Sequence, residues 1–245
     1  MDDFGRILNM LIRYLFLQIN IILFVLLYSS KAHSEKTLFY EIFYGPVKLG
    51  ESKIILKSQE YSAIAYTTGA GNVLYPYQAK WTSSLNQHNQ PLKSLIHSKD
   101  RFKEREKILY FDEKNKNILV EKRLPKPKKK TYSITFPVYD ELTAFIYSWN
   151  LNYREKNSHE IPLYIDGERH LALIHSKGYT TCKLGNRTLS CLEIRVNLPE
   201  KSELLKRTSE VTFFLSANER IPLEIRGRLP IFGNLVARLK NYSEH

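Results

Sequence analysis

A strict two-residue alternation of apolar and polar side chains constrains this chain more than any other feature. From Ser190 onward, Leu192, Ile194, Val196 and Leu198 fall on one face, and Cys191, Glu193, Arg195 and Asn197 fall on the other. Successive side chains of a strand point to opposite faces, so the pattern predicts an antiparallel strand with one buried and one solvated face. Ile221, Leu223 and Ile225 alternate with Pro222, Glu224 and Arg226 in the same way, and Ile161, Leu163 and Ile165 do so more weakly. Further strands are expected at 37–44, 52–58, 61–68, 92–98, 102–111, 117–123, 131–136, 169–176, 208–216 and 234–240, punctuated by turns at Gly45, Gly50, Gly69, Gly71, Gly167, Gly178 and Gly185.

The period breaks once. After Pro137, Asp140 stands as an N-cap, and Leu142, Phe145, Ile146 and Trp149 follow at i, i+3, i+4 and i+7. That is the apolar stripe of an amphipathic helix over about 139–150, and the stripe must bury itself against the sheet. The expected fold is mainly β: a large curved antiparallel sheet or open barrel with one amphipathic helix packed on its concave face. A second, weaker helix or irregular crossing is placed between Asn72 and Lys80, with Pro76 limiting its length.

With 245 residues, 43% hydrophobic content and only 2 cysteines, the chain is neither disordered nor disulfide-dense, and it is not a polytopic membrane protein. Its first 34 residues read as a secretory leader: Arg6 and Arg13, the apolar run Leu15–Tyr28, then small residues up to a cleavage site at Ser34/Glu35. The expected organisation is a signal peptide at 1–34 and a single mainly-β domain at 35–245, exported to the periplasm and peripheral to a membrane at most. Asp2 and Asp3 offset the two arginines, which makes Met10 an alternative start. The competing reading is an uncleaved anchor over 14–30, against which stand the shortness of the run and the polar Gln18 and Asn20. No cysteine lies near the cleavage site to accept a lipid anchor.

Removing Asp2, Asp3, Arg6, Arg13 and Lys31 with the leader takes the formal charge from +12 to +11. Such a balance favours anionic partners, among them phosphorylated lipid head groups and acidic polysaccharide, and export leaves nucleic acid the weakest of them. The densest run is Lys122, Arg123, Lys126, Lys128, Lys129 and Lys130 around Pro125 and Pro127, read as a Pro-stiffened linker between two strands. Two readings stay open for it: a solvated hairpin tip, or a patch attracted to an anionic surface. Arg101, Lys103, Arg105 and Lys107 alternate down one strand face and extend the same sign. Tyr75, Tyr77 and Trp81, interleaved with Lys80, read as core or as an interfacial aromatic group.

Cys182 and Cys191 flank a hairpin tipped by Gly185-Asn186, a spacing that lets the two thiols meet across paired strands. In an oxidising compartment they are expected to form a disulfide; free thiols are the alternative, and C-x-x-C spacing is absent. The seven histidines show no ligand spacing, and no Walker, Rossmann, G-x-S-x-G or H-E-x-x-H pattern occurs. Carboxylate pairs such as Glu104/Glu106 sit inside basic runs and read as solvated strand faces. No cofactor and no metal is expected.

Three segments carry a resemblance. Tyr40–Glu51, with Gly45 and Gly50, resembles the opening strand and turn of the Domain of Unknown Function 3108 (DUF3108) family of exported bacterial proteins. Asp140, Leu142, Thr143 and Ala144 look like the start of its central helix, and Phe214–Leu223, with Arg220 and Pro222, followed by Gly233–Leu239, looks like its closing pair. Trp149 and Asn150 stand where an Arg commonly ends the helix motif. The resemblance implies a curved-sheet envelope protein and carries over no catalytic residue. The expected function is an exported, non-enzymatic envelope protein binding a lipid or an anionic or acylated envelope component in its concave sheet; the alternative is a periplasmic adaptor that binds an envelope protein through its sheet edges.

Overall fold

The computed structural model describes residues 35–198, 210–229 and 233–244; the expected leader lies outside them. The chain runs through β1 (Lys36–Tyr44), β2 (Val47–Lys57), β3 (Glu60–Thr67), a short helix α1 (Gly69–Leu74), β4 (Tyr77–Leu85), β5 (Pro91–Asp100), β6 (Glu104–Asp112), β7 (Asn117–Leu124) and β8 (Lys128–Ser133). Helix α2 (Glu141–Trp149) follows, then β9 (Ser158–Ile165), β10 (Glu168–Leu184), β11 (Arg187–Asn197), β12 (Glu210–Ser216), β13 (Pro222–Leu229) and β14 (Gly233–Glu244).

All fourteen strands join one antiparallel sheet in the order β8-β7-β6-β5-β4-β3-β2-β1-β14-β13-β12-β11-β10-β9. Neighbours in the chain are neighbours in the sheet with one exception: β8 and β9 are its two edges. Residues 134–157, which contain α2, carry the chain from one edge to the other. The sheet curls until those edges meet. Tyr132 of β8 contacts Tyr164 of β9 edge-on, with ring centroids 6.2 Å apart. Tyr139 donates its N–H to the Pro162 carbonyl and accepts from the Tyr164 N–H, both at 2.9 Å, in an isolated parallel bridge. The result is barrel-like without a continuous ladder across the seam.

Inside the curl, Leu38, Ile54, Ile161, Ile194, Phe213 and Leu215 pack with the helix residues Leu142, Ile146 and Trp149. Each side chain of this size contributes roughly 1.5–3 kcal/mol when fully buried, so the helix stripe is held chiefly by apolar burial. A smaller core joins Leu109, Phe111, Ile118 and Val120 to Ile134, Val138 and Tyr164 across the seam.

The helix begins at Glu141 and ends at Trp149, within the expected span. Three local readings need correction. The weaker helical segment lies at Gly69–Leu74, and the second half of the region assigned to it, from Tyr77 on, opens the unexpected strand β4. This strand puts Ala79, Trp81, Ser83 and Leu85 inward, a face too small and polar to register as an apolar alternation. The basic run is not a linker: Lys122 and Arg123 lie in β7, Lys128–Lys130 lie in β8, and Lys122 pairs in register with Lys128. The strand expected at 131–136 therefore starts earlier and stops at Ser133.

Candidate functional site

Helix α2 is tied to the sheet at both ends. At its start, Asp140 is only 4% exposed, and its Oδ1 accepts from the N–H groups of Leu142 at 2.9 Å and Thr143 at 3.0 Å. These are two of the donors that a helix N-terminus leaves without partners. Its Oδ2 accepts from the Ser94 hydroxyl of β5 at 2.7 Å, and Ser94 in turn accepts from Ser83 of β4 at 3.3 Å. Thr143 closes the cap by donating to the Asp140 carbonyl. One buried carboxylate thus caps the helix and fastens it to two strands.

At the other end, Arg220 donates to the Leu151 carbonyl at 2.6 Å and lies over the Tyr153 ring, 5.6 Å from its centroid. Tyr153 donates its hydroxyl to the Ser148 carbonyl at 2.7 Å, and burial pushes that phenol's pKa up. Arg220 has a left-handed backbone (φ 55°) at the end of the β12–β13 turn, where Ser216 bonds to Glu219. Next to it, the Pro222 carbonyl accepts from the fully buried Tyr40 hydroxyl at 2.9 Å, and burial raises that hydroxyl's pKa far above its ordinary range.

Between these ties the helix does not fill the curl. A cavity of about 230 Å³ separates Ala144, Phe145 and Ser148 of α2 from the inner face of β9–β13. Its floor is Ile161, Leu163, Ala172 and Ile174; Val196, Leu198, Val211, Phe213 and Ile225 complete the wall. The lining is almost wholly apolar. Ser148 spends its hydroxyl on the Phe145 carbonyl at 2.5 Å, and Glu141, at the helix start, is the one charged side chain. Small side chains at Ala144 and Ala172 leave the space. The volume exceeds that of an engineered apolar cavity of about 150 Å³ that admits benzene, and falls below the roughly 300–1,000 Å³ of pockets for drug-sized ligands. The space is apolar and larger than a single small ring needs.

The family model described as Protein of unknown function (DUF3108) matches residues 40–240 of this chain. The chain belongs to the DUF3108 family. No curated protein matches it significantly. Among solved structures, the beta-barrel-like protein of Domain of Unknown Function DUF1849 from Brucella abortus is similar, with a TM-score of 0.60 at 8% identity, over 87% of this chain and 98% of that one. A DUF1329 family protein from Desulfovibrio piger aligns over 87% of this chain and 86% of its own, with a TM-score of 0.25 at 8% identity. The first likeness is one of fold: a barrel-like β architecture.

The residues that carried the resemblance divide by role in this DUF3108 protein. Asp140, Leu142, Thr143 and Ala144 form the cap, the buried stripe and one cavity wall, while Arg220 and Pro222 hold the far end. Gly50 sits at a β1–β2 bulge, where a Cβ would lie 2.3 Å from the Tyr66 carbonyl oxygen. Gly45 turns β1 into β2, and Gly233 opens β14. None of these glycines lies in the cavity wall.

Cys182 and Cys191 form a disulfide with Cα atoms 6.0 Å apart. The half-cystines do not face each other directly: Cys182 pairs with Leu189 and Cys191 with Thr180, so the bond runs diagonally on one face. Of the basic run, Arg123 binds Glu121 and Glu106 (3.2 Å each), Lys129 binds Glu121 (3.6 Å), and Lys130 lies 4.5 Å from the centre of the Tyr132 ring. Arg105 pairs with Asp100, while Arg101 and Lys103 fall in the β5–β6 turn. Glu104 binds His97, which holds its carboxyl below the usual range, and Glu106 binds Arg123, so that pair is engaged in ion pairs on a strand face. Trp81 packs against the main core. Among the described residues no group of three or more His, Cys, Asp or Glu is placed to hold a metal, and no helix is long and apolar enough to cross a membrane. The sequence reading expected a ligand in the concave sheet but did not locate this cavity, because the space arises from missing volume at Ala144 and Ala172.

Proposed function

We propose that this protein is an exported, non-enzymatic envelope protein that takes the acyl chain of a lipid or acylated component into the cavity between α2 and β9–β13. The observation that carries this reading is the cavity's apolar lining on the concave face of the sheet. Its size sets the stoichiometry. The end of one chain fits, and the rest of the chain with its head group stays outside, on the side of Glu141, the one charged residue of the lining. Export is supported by the Cys182–Cys191 disulfide, a bond typical of oxidising compartments. The adaptor alternative rests on β8, an edge strand whose outer side pairs with no strand among the described residues, but Lys128, Lys129 and Lys130 oppose addition of a further strand there.

Mass spectrometry of organic extracts from protein purified out of its native envelope tests the reading. An acyl-bearing compound should copurify, and added fatty acid or phospholipid should raise the melting temperature of the parent but not of Ala172→Phe, which fills the cavity. If nothing copurifies and added lipid leaves the parent's melting temperature unchanged, the acyl reading fails.

A further inference from the structure

The two ends of the sheet carry different turn chemistry. In an antiparallel meander alternate turns lie at the same end. One end carries residues 58–59, 86–90, 113–116, 185–186 and 217–221, built from Ser, Gln, Asn, His, Glu, Lys, Arg, Gly, one Ala and the buried Ile221. Among the described residues, the opposite end carries 45–46, the α1 segment 68–76, 101–103, 125–127 and the Asp166-Gly167 turn. Here Val73 and Leu74 are 77% and 71% exposed and Phe102 is 77% exposed, with Leu124, Tyr44 and Val47 half-exposed beside the turns.

Single exposed apolar residues are ordinary on any protein surface. Their confinement is not. The other large apolar residues exposed among the described ones lie within strands or α2, and none of them reaches 60%. The tips are also tied to the sheet. A Cβ on Gly71 would lie 1.9 Å from the Leu49 carbonyl oxygen, so α1 is seated tightly on β2 and aims Val73 and Leu74 outward. Asp100 accepts from the N–H groups of Phe102 and Lys103 at 2.8 Å each, which shapes the next turn around Phe102. Arg101 donates to the Val73 carbonyl at 3.3 Å and joins the two tips into one platform. Around it, Arg101, Lys103, Lys126 and Lys128 form no ion pair among the described residues.

We infer that this end of the barrel-like sheet docks on an anionic lipid bilayer, with Val73, Leu74 and Phe102 inserted at the head-group boundary and Arg101, Lys103, Lys126 and Lys128 against lipid phosphates. Apolar tips ringed by basic residues match that surface in both polarity and charge. The same basic run that pairs internally through Arg123 and Lys129 contributes its unpaired members here. Leu198 and Val211, which line the cavity, stand at strand ends on this same side. The docking inference does not depend on occupancy of the cavity.

The test uses the chain from Glu35 on, the mature form expected after removal of the leader, and vesicles of phosphatidylcholine with or without phosphatidylglycerol. The parent should cosediment with phosphatidylglycerol vesicles at low salt and dissociate as salt shortens the Debye length to about 8 Å at physiological strength. The variant Val73→Ser/Leu74→Ser/Phe102→Ser should bind at least tenfold more weakly at an unchanged melting temperature, and Arg101→Gln/Lys103→Gln/Lys126→Gln/Lys128→Gln should lose the preference for phosphatidylglycerol. Ala172→Phe should bind vesicles as the parent does, which separates this inference from the acyl-chain reading. A parent that binds neither vesicle, as expected of a surface meant for a protein, overturns the inference, and so does equal binding by the apolar variant.

Discussion

The two edges of the sheet, β8 and β9, are managed in opposite ways. Strand β9 is buried on both faces over its second half: Ile161, Leu163 and Ile165 enter the main core, Tyr164 enters the smaller one, and Tyr139 bonds to its backbone. Strand β8 is mostly exposed and carries three consecutive lysines. An unpaired edge is a template for association, and proteins blunt it either by covering it or by charging it. Both devices occur here on one sheet. The cover is supplied by the crossover that also delivers α2, so the side of the barrel that holds the cavity is closed by the chain's own connection. The charged edge stays outside that closure.

The largest effect should come from releasing the crossover. Asp140→Ala removes the cap of α2, leaves the Leu142 and Thr143 N–H groups without their acceptor, and strands the buried Ser94 hydroxyl. A lost cap costs about 1 kcal/mol and a buried polar group without a partner about 1–3 kcal/mol, so a total near 3 kcal/mol is expected. Denaturant unfolding monitored by Trp fluorescence measures it. Asp140→Asn, which keeps the cap acceptor, should lose clearly less; equal losses for the two variants would mean that the cap contributes nothing and that the bond to Ser94 carries the whole effect.

Gly167 probes the seam itself. It turns β9 into β10 at φ 102°, and a Cβ there would lie 2.3 Å from the Tyr132 ring of β8. Gly167→Val adds backbone strain of roughly 1–3 kcal/mol and pushes the two edges apart. Hydrogen exchange should then rise first in β8 and around Tyr139, ahead of β1 and β14. Uniform acceleration throughout the sheet would contradict a seam that opens locally.

How much of this was legible in the sequence depends on where each signal resides. Strands such as β11 announce themselves because large apolar residues occupy every second position. Strand β4 does not, because its inward face includes Ala79 and Ser83, and Ser83 is buried for its bond to Ser94 rather than for its size. Asp140 is readable as an N-cap from local spacing alone. Its second bond, to a serine 46 residues away, is set by the fold. The lysine run is visible as charge, but only strand pairing tells which of its members meet Glu121 and which line the end of the sheet. The apolar platform is hidden for the same reason: Val73 and Phe102 become neighbours only when β4 and β5 lie side by side.

The middle of the sheet offers a reference remote from both edges. Tyr40 of β1 donates its hydroxyl across to Pro222, and burial raises its pKa above the value of 10.0 that the unfolded chain has. A group whose folded pKa is raised contributes its full stability below the unfolded pKa and loses it as pH climbs past that point. Stability should therefore hold to about pH 10 and fall above it, and Tyr40→Phe should flatten that alkaline limb at a cost of about 1 kcal/mol for the lost bond at neutral pH. An unchanged alkaline limb in Tyr40→Phe would assign the loss to other groups.

The smallest change in stability is expected at the charged edge. Lys128→Gln/Lys129→Gln/Lys130→Gln removes charge from exposed positions of β8 and breaks one ion pair to Glu121, and exposed pairs of this kind contribute little to folding. The melting temperature should stay where it is. What should change is association, because the outer side of β8 keeps its unpaired N–H and C=O groups while the lysines that discourage a visiting strand are gone. Sedimentation should show oligomers of the variant at concentrations where the parent shows none. The corresponding substitution to three glutamates keeps charge on the edge, so it should restore the parent's behaviour even with the sign reversed. If the glutamine variant sediments as the parent does, β8 is protected by its shape and by the seam rather than by its lysines.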